Sequence, residues 1–318
     1  MQQKPEVFEQ TDCPLCGGSA YRVFLRGPDL FMHVPGLFQL VRCTNCRLIY
    51  QNPRPSLSSM SRYYPDRYGA YESAETGLRG RIGLSGALTR RALGMRCRLI
   101  DHTIDTTPGN TRRLLDIGCA SGLFLEAMQQ QGWRVEGVEP DVASARGVSE
   151  RLGIVVFAGP FEHASYPTGH FDAITLWDVL EHLHNPMASL HEIRRILRPG
   201  GALFIRVPNA ASYGARICGR YWSGYDLPRH MSLFTPYTLA QALAQAGFRQ
   251  AVRRYSSGSY IAALHSLRFG MDDGRVSAKR AAAIQRVLIH PLFRAMAWLP
   301  LRLADLLAGG SNLEVLVR

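Results

Sequence analysis

Cys13, Cys16, Cys43 and Cys46 form two C-x2-C pairs with 26 residues between them. Each pair can bring two thiolates onto one ion, and two pairs complete a tetrahedral site of the kind that holds Zn2+. Four sulfur ligands leave no open position, so the expected role is structural rather than catalytic. Turn residues accompany both pairs: Pro14, Gly17 and Gly18 at the first, Thr44 and Asn45 inside the second. The stretches YRVFL and FQLVRC between them read as short strands. A small zinc ribbon over residues 1–50 is the expectation. Cys97, Cys119 and Cys218 are scattered, and paired cysteines in a reducing compartment favour metal over disulfide.

A second constellation lies at Asp116-Ile-Gly118-Cys-Ala-Ser-Gly122, with Glu139 23 residues beyond Asp116. Gly118 and Gly122 would let a ligand approach the backbone where a helix begins. Positions 120 and 121 are Ala and Ser, so the G-x-G-x-x-G dinucleotide fingerprint fails. An aspartate closing the strand repels a pyrophosphate and suits a cationic amino group. A carboxylate at the end of the second strand, here Glu139, is placed to take a ribose diol. An adenosine-containing cation without phosphates describes S-adenosylmethionine.

The elements that must position these groups alternate. RLLDI (113–117), RVEGVE (134–139), IVVFA (154–158), FDAITLW (171–177), ALFIRV (202–207) and FRQAVRRY (248–255) read as strands. Helical patterns at 123–131, 142–152, 187–197 and 236–247 separate them, and another covers 84–100. Strands separated by helices imply a parallel, doubly wound α/β sheet, whose ligands bind at the carboxyl ends of the strands. NLEVLVR (312–318) reads as a seventh strand. The expected division is a zinc ribbon at 1–50, linker and lead-in helix at 51–109, and a cofactor-binding domain at 110–318 with an insertion at 256–311. Tyr63, Tyr64, Tyr68 and Tyr71 of the linker are expected to pack locally, with packing at the mouth of the next domain as the other reading, and Arg90, Arg91, Arg96 and Arg98 to form a solvated face.

Asp116–Gly122, Glu139-Pro-Asp141, Phe171–Asp178 and Leu197-Arg-Pro-Gly-Gly201 resemble the successive motifs of class I S-adenosylmethionine-dependent methyltransferases. Val179-Leu-Glu-His-Leu183 with Asn185-Pro186, and the segment Trp222–Pro236, resemble the branch containing ubiquinone-biosynthesis O-methyltransferases. The four-cysteine ribbon resembles that of bacterial sugar C-methyltransferases. The resemblance implies that Asp116, Gly118 and Gly122 hold the aminoacyl part of the cofactor and Glu139 its ribose hydroxyls. It further implies that Phe161 and Glu162 flank the adenine, and that Trp177 and Asp178 line the methyl-transfer mouth. It implies as well that the strand at 312–318 is the antiparallel last one.

Methyl transfer from a sulfonium demands alignment of nucleophile, carbon and sulfur, and an oxygen or carbon nucleophile must also lose a proton. His230, His182 and His184 are the candidate bases. Asp178, Glu181 and His182 stand at i, i+3 and i+4; on one helical face, with His230 completing the set, they would suit Mg2+ or another divalent ion. The acceptor is expected to be a small molecule, with O-methylation ahead of C-methylation.

The composition, 46% hydrophobic and 19% charged, excludes disorder. No apolar window reaches the length of a spanning helix, and the start has no apolar core of a signal peptide, so a cytoplasmic location is expected. The net charge of +12 comes from scattered arginines; only Lys4 and Lys279 are lysines. A nucleic-acid-binding protein, with ribbon and arginines gripping a backbone, is the alternative, but no basic run indicates it. Residues 284–307 are rich in large apolar side chains interrupted by arginines. They are expected to pack on the domain or on a second copy in a homodimer, with peripheral membrane contact as the other reading.

Overall fold

The computed structural model describes residues 7–64, 84–104, 111–249, 251–256, 259–272 and 277–318. Tyr68 and Tyr71 of the expected linker lie outside them.

The N-terminal module is built from Phe8–Glu9 (β1), Tyr21–Gly27 (β2), Phe38–Cys43 (β3), Ile49–Gln51 (β4) and Arg54–Pro55 (β5), followed by a 3-10 turn at Leu57–Tyr63. β2, β3 and β4 are antiparallel neighbours, and β1 pairs with β5. The two cysteine knuckles are matching tight turns. Gly17 N–H donates to Cys13 O and Arg47 N–H to Cys43 O, with left-handed backbone at Gly17 (φ 69°) and Arg47 (φ 69°). Residues 51–64, expected as connecting chain, carry the end of β4, β5 and the 3-10 turn, and Tyr63 is fully buried there.

The rest alternates as its pattern predicts. After Leu84–Thr103 (α1) come Arg113–Ile117 (β6), Leu123–Gln130 (α2), Arg134–Glu139 (β7), Val142–Leu152 (α3), Val156–Ala158 (β8) and Phe171–Trp177 (β9). Then follow Pro186–Ile196 (α4), Leu197–Pro208 (β10), Tyr213–Cys218 (α5), Ser232–Leu233 (β11), Pro236–Gln245 (α6) and Ala251–Ser256 (β12). Ser259–Asp272 (α7), Ala278–Ile289 (α8) and Pro291–Ala308 (α9) are inserted before the last strand, Asn312–Val317 (β13). The sheet order is β12-β13-β10-β9-β6-β7-β8, parallel from β10 to β8, with β13 antiparallel to both neighbours.

Successive residues of a strand face opposite sides, so a sheet covered on both faces needs apolar residues throughout. Leu114 packs with Ile100, Leu125 and Met128 on one face, and Leu115 with Leu190 and Ile193 on the other. Helix ends are marked in the sequence: Asp141 caps α3, Asn185 caps α4 with Pro186 at its start, and Thr235 with Thr238 forms a reciprocal cap on α6. β6 lies between β7 and β9, so the order of crossovers reverses at its carboxyl end, where a cleft opens.

The two parts are knitted together rather than strung in series. β11 pairs with β4 and extends the N-terminal sheet to four strands. The N-terminal core, including Leu15, Leu48 and Tyr50, continues into the core around Leu180 and Phe234.

Candidate functional site

The chain leaves β6 at Ile117 and must turn sharply into α2. Three left-handed residues make the turn: Gly118 (φ 73°), Ala120 (φ 46°) and Gly122 (φ 71°). The two glycines serve different ends. A Cβ on Gly118 would stand 2.5 Å from Val179 Cγ2, and this residue opens on the cavity. A Cβ on Gly122 would stand 2.6 Å from Val148 Cγ1 of α3, so Gly122 serves close helix packing. Gly122, expected to help hold the cofactor, is not among the residues that line the cavity.

Glu139 ends β7 with its side chain almost wholly buried. Its Oε2 accepts from Ala120 N–H at 2.9 Å and its Oε1 from Asp141 N–H at 3.0 Å. Burial raises its pKa, and the two N–H donors oppose that. Each oxygen keeps an acceptor position to spare, and Glu139 lines the cavity. Asp116 does not. It is buried behind the turn, where the Thr175 hydroxyl donates to its Oδ1 at 2.5 Å and ties β6 to β9; burial pushes its pKa up to about 7. Asp116 thus stands behind the lining residues of the cavity rather than among them.

The cavity has a volume of about 1350 Å3, above the usual range for one drug-sized ligand, about 300–1,000 Å3. Phe161 and Glu162 lie on its wall beyond β8, and Trp177 and Asp178 at the end of β9. Trp177 packs edge-on against Phe124 at 5.7 Å and under the Arg96 guanidinium at 4.6 Å. Its indole Nε1 is buried with no partner among the described residues. Arg96 belongs to the arginines read as a solvated face; only its seat over Trp177 distinguishes it.

Asp178 does not share a helical face with Glu181 and His182. Its backbone is left-handed (φ 58°), only Leu180–His182 form a 3-10 turn, and its carboxylate is held by Arg206 Nε at 2.9 Å. Glu181, His182 and His230 instead come together, with donor atoms within 4.8 Å of one another. Two imidazoles and one carboxyl are a poor match for Mg2+, which takes oxygen ligands in near-octahedral geometry.

The tautomers of this pair follow from their partners. A carbonyl can only accept, so His182 Nδ1–H donates to Arg229 O (3.1 Å) and His230 Nδ1–H to Gly224 O (2.8 Å). Both Nε2 atoms are then bare acceptors. The rings meet edge to face at 4.6 Å, and the Tyr64 hydroxyl lies 2.9 Å from His182 Nδ1. Burial depresses both imidazole pKa values, that of His182 far below its ordinary value. Burial raises that of Glu181 well above the carboxylate range, with the charges of Asp178 and Asp226 adding to it. Neither Glu181 oxygen has a hydrogen-bond partner among the described residues. His184 is spent otherwise: its Nε2–H donates to Pro55 O at 3.1 Å, while Arg54 Nη1 donates to its carbonyl at 2.5 Å.

One wall of the cavity comes from the N-terminal module, through Phe31, Met60 and Tyr64. Arg229 anchors that wall. It is fully buried and bonded to Asp29 (2.6 and 2.9 Å), to Asp226 (2.6 and 2.9 Å) and to Tyr63 O (3.1 Å). Tyr64 of the expected linker lines the cavity beside the imidazoles, while Arg229, one arginine in a loop, carries no periodic signal that marks it in the sequence.

The four cysteine sulfurs also converge. Cys13 and Cys46 Sγ are 3.4 Å apart, and Cys16 and Cys43 Sγ 3.5 Å. Tetrahedral bonds of about 2.3 Å separate sulfurs by a similar distance, so the cluster fits a zinc ribbon. Burial works against the Cys43 thiolate, but N–H groups of Cys46 and Asn45 bring its pKa down to about 7.

Residues 90–251 match the family described as "Methyltransferase domain". A "Ubiquinone biosynthesis O-methyltransferase" of Xanthomonas oryzae pv. oryzae (strain PXO99A) is 33% identical over 125 residues, covering 37% of this chain and 52% of that protein. One of the same name from Bordetella avium (strain 197N) is 29% identical over 168 residues, covering 49% and 70%. The match thus spans about half the length of the Xanthomonas relative. A solved SAM-dependent methyltransferase from Archaeoglobus fulgidus superposes with a TM-score of 0.47 at 20% identity, covering 76% of this chain and 96% of that one. With the family matched over just over half of its length, this chain belongs to the methyltransferase-domain family.

Proposed function

We propose that this protein moves a methyl group from S-adenosylmethionine to a hydroxyl of a small-molecule acceptor, C-methylation being the second choice. The observation that carries this reading is one cavity with two chemistries on its wall. Gly118 and Glu139 lie at the carboxyl ends of β6 and β7, and two imidazoles with bare Nε2 atoms line the same cavity. When bound, S-adenosylmethionine supplies a methyl group on a positively charged sulfur.

The chain's own residues fit that ligand. Glu139 has acceptor positions for two ribose hydroxyls. Gly118 leaves the backbone open to approach, and the unpartnered Trp177 Nε1 is a donor awaiting an acceptor. Phe161 and Glu162 are assigned to the adenine edge. Trp177 and Asp178 mark the passage between the two halves of the cavity. His230 is the base: its Nε2 takes the acceptor's proton, and Asp226 Oδ2 at 3.8 Å and Glu181 Oε1 at 4.0 Å lie beside the charge so formed. His182 packs against it and holds it in place. Asp116 and Gly122 act by shaping the turn beneath.

Zn2+ on Cys13, Cys16, Cys43 and Cys46 is assigned a structural role. The reading places the protein in the cytoplasm, where unpaired Cys97, Cys119 and Cys218 stay reduced. The test is mass spectrometry of purified protein incubated with S-adenosylmethionine and a panel of phenols, catechols, hydroxy acids and amines. The reading expects a mass gain of one methyl on a hydroxyl compound, lost in His230→Ala by roughly 10²–10⁴ in kcat. Methylation confined to amines, with His230→Ala fully active, would remove both the acceptor class and the base.

A further inference from the structure

The helices α8 and α9, between β12 and β13, have no part in the site. They form a hairpin bent at His290-Pro291, where Pro291 starts α9 and the His290 ring accepts from Leu292 N–H. The pair packs on α7. Their outer sides are apolar and open: Val287 is 56% exposed, Leu292 68% and Met296 77%, with Ile284 and Phe293 beside them. The spacings 284/287 and 292/296 put these residues on one face of each helix.

The hairpin's one acid, Asp305, is buried, and its other charged residues are basic. From Gly274 to Ala304 the sequence holds Arg275, Lys279, Arg280, Arg286, Arg294 and Arg302 and no Asp or Glu. Lys279, Arg280 and Arg286 are exposed. Such a surface has three conceivable occupants. A second copy of the chain meeting it about a two-fold axis would set cations against cations. A neutral lipid surface would leave the cations without partners. An anionic lipid surface satisfies both features, with aliphatic side chains entering the acyl boundary and the basic groups meeting headgroups.

We infer that α8 and α9 form an interfacial anchor that docks the protein, in the plane of the bilayer, on an anionic lipid surface. No helix of the described residues is long and apolar enough to cross a membrane, so the contact is peripheral. The anchor adjoins the cavity through α7, whose Ile261, Ala262 and His265 line the wall. The inference does not depend on the assignment of base or acceptor.

Co-sedimentation of the full chain with vesicles tests it. Vesicles of phosphatidylcholine with one-third phosphatidylglycerol are compared with phosphatidylcholine alone, at low and high salt. Binding is expected to the anionic vesicles only and to weaken with salt. Arg286→Glu should weaken it well beyond the about fivefold that one cation contributes, and Val287→Asp with Met296→Asp by at least tenfold. S-adenosylmethionine affinity and melting temperature should stay unchanged in both variants, which shows that they fold. Equal binding to neutral vesicles, binding to neither, or light scattering showing a dimer that Met296→Asp dissociates would each overturn the inference.

Discussion

Arg229 grips both carboxylate oxygens of Asp29, 200 residues away in sequence, in a pair that no solvent reaches. The N-terminal module and the loop carrying His230 are thereby locked to one another, and the carbonyl of Arg229 sets the tautomer of His182. Removing one partner leaves the other charge buried. Asp29→Ala is expected to destabilise the protein by about 3–5 kcal/mol in urea unfolding. Because Arg229 also holds Asp226, replacing Asp29, Asp226 and Arg229 together with apolar residues of similar volume should recover most of that loss, and a triple variant as unstable as Asp29→Ala would contradict the pairing.

The zinc assignment makes a linked prediction. Elemental analysis should find one Zn2+ per chain, and Cys43→Ser should lose it and lower the melting temperature, because the ion supplies folding energy to a small core. Since β4 pairs with β11, two residues after His230, the damage should reach the acceptor side of the cavity. Hydrogen exchange should quicken at residues 226–233 while the turn at 118–122 stays protected. No zinc, with four freely titrating thiols, rules the ribbon out.

The glycine turn separates two roles. Gly118→Ala pushes a methyl group toward Val179 beside the cavity, and Gly122→Ala pushes one into Val148 behind it. Both strain a left-handed backbone. Calorimetry should show weaker S-adenosylmethionine binding for Gly118→Ala. Gly122→Ala should lose about 1–3 kcal/mol of stability with binding per folded molecule nearly intact. Equal losses of binding in both would restore Gly122 to the cofactor site.

The buried imidazoles give a pH signature. A histidine whose pKa is depressed on folding stabilises the native state above its unfolded value, about 6.5, and that contribution is lost as pH falls through the native value. His182 and His230 both shift this way. Glu181 shifts upward and pulls in the opposite sense. The informative comparison is therefore with the His182→Asn, His230→Asn double variant. Between pH 7.5 and 5.5 the wild type should lose more unfolding free energy than the variant; parallel losses would show that the rings titrate normally.

Much of the fold was legible because its signals are local. Leu114-Leu115 and Ala173-Ile174 announce strands buried on both faces, and Asp141, Asn185 and Thr235 mark helix starts. Glu139 was legible because a strand end fixes where its side chain goes. The rest depends on contacts between distant segments. Nothing local separates Arg96 from Arg98, yet one lies over Trp177 and the other is exposed. Asp178, Glu181 and His182 have helical spacing, but the left-handed residue at 178 breaks the face they would share. The joining of the ribbon to the loop carrying His230 rests on β4 with β11 and on Asp29 with Arg229, and no spacing rule links residues so far apart.

The central claim is that this cavity binds S-adenosylmethionine through Glu139, and titration calorimetry of wild type against Glu139→Ala tests it most directly. Two charge-assisted hydrogen bonds, each worth roughly 1.5–3 kcal/mol, are removed by the substitution. The account predicts S-adenosylmethionine binding by the wild type and a Kd at least tenfold weaker in the variant, with its fold unchanged by circular dichroism. An unchanged Kd, or a wild type that binds NADH in place of S-adenosylmethionine, contradicts it.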